Sequence, residues 1–160
     1  AFGLSPAADS ILSGGDNGML VRYGLDGEQL ANYDGHVTTV WSVAAARDGL
    51  MASGGEDQTV RLWNMASGAP LTTLFAGVDG SWAMWTPQGY FAGSKSGARR
   101  VGWLANEGFE TAPRYFRADE MKGLERPDLV QKTIETRSPL DLRAEGVEPL
   151  AQRIAREIRR

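Results

Sequence analysis

Cysteine is absent from the 160 residues, and histidine occurs once, at His36. Without cysteine there is no disulfide framework, no thiol nucleophile and no thiolate metal site, and a single imidazole cannot build a multi-histidine site. No metal and no other cofactor is expected. An excess of basic charge is missing too: 17 Lys and Arg stand against 20 Asp and Glu, for a net charge of −3. That balance argues against a protein whose main task is neutralising phosphates, so nucleic acid is not an expected partner. No apolar run approaches the roughly eighteen residues of a membrane span. The opening AFGLSPAADS has neither a basic region followed by a long apolar stretch nor an initiating methionine. The expectation is a cytoplasmic, membrane-free segment belonging to a longer chain.

Glycine and tryptophan are plentiful instead. Twenty glycines and five tryptophans suggest many tight turns joining short strands with aromatic core residues. An internal repeat organises them. SGGDN at 13–17 aligns with SGGED at 53–57, and Tyr23, Trp63 and Trp103 follow one another at 40-residue intervals. A fixed period of this length marks a repeat architecture. In the clearest unit, 40–46, 50–54, 60–64 and 70–76 read as four short strands separated by RDG, EDQT and MASG turns. Four-stranded meanders repeated every 40 to 45 residues or so fit a propeller, whose blades bury both faces by stacking on their neighbours.

Gly35-His36 followed by SGGEDQTVRLWN at 53–64 resembles the WD40-repeat family, in which a Gly-His pair opens the repeat and a Trp-Asp pair ends its third strand. Here the pair is Trp63-Asn64. The resemblance implies a WD40-type β-propeller fold and a structural hydrogen-bonded tetrad of His36, Ser53, Asp57 and Trp63. Physically, such a chain would satisfy buried polar groups that are costly to leave unpaired. It also implies partner binding on the face formed by interblade loops, where Trp41, Glu56, Asp16 and Thr39 are the candidates. Trp41 could equally pack between blades.

The flanking units depart from this pattern. The first has Asn17 and Tyr23 where the repeat expects Asp and Trp, and the third keeps Trp103 but has Val78, Gly93 and Gly97 at the other tetrad positions. Packing of Trp82, Trp85, Tyr90, Phe91 and Trp103 is expected to hold it instead. About three blades, at 1–34, 35–76 and 77–106, then give way to a helical extension or linker over 107–160. Pro127 suits the first turn of a helix over 127–136, and Pro149 that of a helix over 148–160. In the latter, Leu150, Ile154 and Ile158 recur every four residues and are the candidate contacts to another surface.

Residues 85–134, with WTPQGYF and RPDL as their most distinctive strings, are similar to the propeller end of bacterial multidomain proteins joining a WD-repeat propeller to a caspase-like protease domain. That resemblance implies a sensor or regulatory role, with the catalytic domain outside these residues.

Ser53, His36 and Asp57 share residue types with a hydrolase triad, but no G-x-S-x-G elbow presents the serine. No catalytic residue and no enzyme activity is expected. The reading is a mainly β, WD40-type propeller segment of about three four-stranded blades with a C-terminal α-helical segment. It would act as a protein-interaction scaffold inside a larger protein. Its partners would be proteins or other domains of the same protein, and its ring would need further blades or other chains to close.

Overall fold

A computed structural model describes residues 1–106 and 112–159. The first unit is a four-stranded antiparallel meander of β1 (Phe2–Leu4), β2 (Ser10–Gly14), β3 (Leu20–Gly24) and β4 (Gln29–Asn32), in that spatial order. The second begins in the same way with β5 (Val40–Ala45), β6 (Leu50–Gly55), β7 (Thr59–Asn64) and β8 (Pro70–Ala76). Its turn chemistry follows from the residues at the corners. Asp48 accepts a hydrogen bond from the backbone N–H of Leu50 at 3.2 Å, while Gly49 takes the positive φ of 86° that other residues resist. Alternation then sends Met51, Ser53 and Gly55 of β6 inward. Leu12, Leu20 and Tyr33 of the first unit meet Val40, Met51 and Trp63 of the second in one buried cluster. Two stacked sheets thus share a first core.

The third unit does not form a blade of its own. β9 (Trp82–Trp85) hydrogen bonds to β8, and β10 (Phe91–Gly93) to β9, so the second sheet grows to six strands. The connection explains the difference from the expected partition at residue 77. Between β8 and β9 the backbone closes a tight turn, with Gly77 N–H donating to the Ser81 carbonyl at 2.7 Å and Gly80 N–H to the Gly77 carbonyl at 3.1 Å. Strands joined by so short a turn must pair as a hairpin. Between β4 and β5 the chain instead has a seven-residue link carrying Gly35-His36, long enough to start a new sheet.

Beyond β10 lie a one-turn helix, α1 (Lys95–Ala98), and β11 (Gly102–Ala105). β11 pairs with β12 (Arg114–Arg117), a strand within the stretch expected to be helical. Residues 107–111, where that extension was expected to start, lie outside the described residues. A short 3-10 turn at Ala118–Glu120 leads to α2 (Pro127–Thr136), and α3 spans Leu150–Ile158. Between the two helices the chain is turns, because Arg137 caps α2 in the left-handed conformation with φ 51° and Pro139 and Gly146 follow it. Among the described residues, the expectation that 107–160 is helical therefore holds for α2, α3 and the short 3-10 turn. Tyr90, Phe91, Ala118, Met121, Leu124 and Leu129 form a second core. The outer edge of β10 is covered by residues 124–126, with Phe91 N–H donating to the Leu124 carbonyl and Arg126 N–H to the Phe91 carbonyl, each at 2.8 Å.

Candidate functional site

The four tetrad residues come from four places and meet in one hydrogen-bonded chain. His36 sits in the link before β5, Ser53 on β6, Asp57 in the β6–β7 turn and Trp63 on β7. His36 Nδ1 lies 2.9 Å from Asp57 Oδ2, and His36 Nε2 lies 2.8 Å from Ser53 Oγ. Trp63 Nε1–H donates to Ser53 Oγ at 2.8 Å. Backbone room for the ring is provided by Gly55, where an added Cβ would come within 2.6 Å of His36 Nδ1. Burial alone would raise the pKa of the Asp57 carboxyl, but hydrogen bonds from Thr59 and His36 more than offset this and hold it below its ordinary value.

In the tautomer in which Asp57 accepts from Nδ1–H, Nε2 accepts from the Ser53 hydroxyl, the same order of groups that activates a serine nucleophile. Access separates the two cases. Ser53 is 1% exposed and its oxygen also takes the indole N–H, so no carbonyl carbon can reach it. What the arrangement does is satisfy four polar groups inside the first core. No cluster of His, Asp and Glu among the described residues has the make-up of a metal site.

Residues proposed for the partner face gather at one end of the two sheets. Val40 N–H donates to the Gly15 carbonyl at 2.9 Å and Glu56 N–H to the Thr39 carbonyl at 2.8 Å, so the corner of the first unit and both corners of the second are tied together. Asp16 and Glu56 are exposed, whereas Thr39 is half-buried, its hydroxyl 3.4 Å from the Asp16 carbonyl. Trp41 is 66% exposed. It stands at a β-bulge, since Val40 pairs with Gly55 and Ser42 with Gly54 and leave Trp41 without an opposite residue. A bulge re-aims the side chain it carries.

Of the three helix residues, Leu150 and Ile154 pack against the second core, and Ile158, at the end of the helix, is half-buried. Tyr90 Oη–H donates to the Glu148 carbonyl at 2.7 Å and fixes the start of the helix. Sequence reasoning missed the other end of this docking. Asn64 donates from Nδ2 to the Arg137 carbonyl at 2.9 Å, and Arg137 pairs with Asp48. The available signal was the asparagine itself, since the family's aspartate has no N–H to give.

Stacked antiparallel meanders, a buried Asp–His–Ser–Trp chain and C-terminal helices define the class: a mainly β protein of WD40 propeller-like architecture, without a closed barrel. More particularly, residues 27–64 match the family model described as WD domain, G-beta repeat. The chain is 39% identical over 67 residues to the serine-threonine kinase receptor-associated protein of Bos taurus, covering 41% of this chain and 19% of that protein. It is 32% identical over 73 residues to eukaryotic translation initiation factor 3 subunit I of Debaryomyces hansenii, 45% of this chain and 19% of the relative. It thus spans about a fifth of the length of these relatives. Among solved structures it is similar to the C-terminal WD40 domain of Sif2, at 20% identity and a TM-score of 0.46 over 54% of this chain and 30% of that one.

Proposed function

We propose that this chain is a non-catalytic scaffold segment of a larger protein that binds a protein partner on the end where Asp16, Trp41 and Glu56 meet. The supporting observation is Trp41, a large apolar side chain that is 66% exposed at a bulge, two residues from Thr39, whose carbonyl accepts from Glu56 N–H and whose hydroxyl reaches the Asp16 carbonyl. Aromatic anchors of this kind carry much of the energy of protein interfaces, and exposed Asp16 and Glu56 at the neighbouring corners favour a partner that rims an apolar pocket with basic groups. A photo-crosslinking residue placed at position 41 of the full-length protein should capture discrete partners in its own cells, with exposed Arg47, in the β5–β6 turn at the opposite end of the strands, as the control position. Glu56→Lys should abolish those adducts and leave thermal unfolding unchanged. Equal adducts from both positions would sink the proposal. The alternative, a regulatory region of a bacterial caspase-like protease, rests on the resemblance over 85–134. The matched relatives are eukaryotic. A Cys-His dyad in the remainder of the full-length sequence would favour it.

A further inference from the structure

A cleft of about 340 Å³ opens on the six-stranded sheet between the two cores, and Asp34, Arg61, Thr73, Trp85, Trp103 and Leu150 line it. Its floor is set by register. Arg61 pairs with Thr73 and Thr73 with Trp85, so the three stand in a row on one face across β7, β8 and β9. Trp103 comes from β11, Leu150 from α3, and Asp34 from the link before β5. Volumes of about 300 to 1,000 Å³ are those of ligand clefts, which combine apolar walls with a few converging polar groups.

The polar groups here are short of partners. Arg61 has a single carboxylate within ion-pair range among the described residues, Asp57 Oδ2 at 3.7 Å. That carboxylate is already committed, Oδ2 to His36 at 2.9 Å and Oδ1 to the Thr59 hydroxyl at 2.7 Å. Arg61 Nε is buried without an acceptor, and burial lowers the guanidinium's pKa, with Asp57 offsetting only part of the effect. Two further lining residues, Thr72 and Thr86, are 2% and 0% exposed, and neither hydroxyl makes a hydrogen bond within the protein. Buried polar atoms are rarely left unpaired, and three of them belong to residues around one cleft.

We propose that this cleft is a second binding site, separate from the Trp41 end, for an extended peptide segment of a partner protein that places one carboxylate side chain beside an aliphatic one. The guanidinium fork takes the carboxylate, as planar bidentate recognition favours arginine. The aliphatic side chain lies between Trp85, Trp103 and Leu150. Asp34 on the wall weakens the hold on that carboxylate and repels a second acid, so the ligand carries one.

An array of randomised, capped hexapeptides probed with the intact chain tests this. Bound peptides should be enriched in a single Asp or Glu within two positions of Leu, Ile or Val. In titrations with the tightest binder, Arg61→Gln should weaken binding by about tenfold or more. Asp34→Asn should strengthen it by roughly twofold to fivefold, an improvement that misfolding cannot imitate. Trp41→Ala should change nothing. No enrichment over capped oligoglycine, an Arg61→Gln affinity equal to wild type, or no gain from Asp34→Asn would each overturn the assignment. Loss of the peptide on Trp41→Ala would move it to the other end of the sheets, removing this site and leaving the scaffold proposal standing.

Discussion

Both ring nitrogens of His36 are engaged, one by Asp57 and one by Ser53, so removing the ring strands a carboxylate and a hydroxyl in a buried setting. We expect His36→Ala and Asp57→Ala each to lower stability by about 1–3 kcal/mol in urea unfolding. An undiminished unfolding midpoint would mean that the hydrogen-bonded chain adds nothing to the fold. The pH dependence has a definite sign. The folded-state pKa of Asp57 lies below that of the unfolded chain, so its contribution is present above about pH 4 and is lost as pH falls through the folded value. Asp57→Asn should therefore flatten the stability profile below about pH 4, measured against wild type. Asn64 supports a less obvious expectation. Asn64→Asp gives the Trp-Asp pair of the WD-repeat pattern but replaces an N–H donor with a carboxylate facing the Arg137 carbonyl. It should destabilise the α2 docking by about 1 kcal/mol, seen as faster amide exchange over 129–136.

Helix α3 is nine residues long and would be marginal alone, so its order depends on the surface beneath it. Leu150 and Ile154 touch that surface, whereas Ile158 lies at the end of the helix. Leu150→Asp with Ile154→Asp should cost several kcal/mol and release amide protection over 148–159, while Ile158→Asp should cost about 1 kcal/mol or less. Equal effects would mean that the helix docks through another face. The helices were legible in the sequence, α2 to the residue, because Pro127 fixes a first turn and the apolar positions recur at helical spacing. The tetrad was legible because a repeat ties His36, Ser53, Asp57 and Trp63 to known offsets. Trp41 was not, since its exposure depends on a bulge, and a bulge exists only once two strands have chosen their register. The fate of the third unit was hidden for the same reason. Its aromatic residues suit a blade or a sheet extension equally well, and the short 77–81 turn decides between them.

Two cores joined through the β8–β9 pairing make a molecule with two centres of stability. Trp63→Phe removes the indole donor from the first centre, and its effect on exchange should be concentrated in β2, β3, β6 and β7. Protection in β10 and α2 should change far less, because those elements pack on Phe91 and Leu124. A uniform drop across all strands would show that the chain opens as one unit. Within each sheet, every strand from β1 to β10 pairs with its neighbours in sequence. The loops to be closed are therefore short, and a hairpin is complete as soon as its second strand has left the ribosome. The bond from Asn64 to Arg137 spans 73 residues and has to wait. Synthesis order should thus become assembly order: pulse-labelling exchange during refolding is expected to protect the stacked sheets before the C-terminal helices, and simultaneous protection would refute this.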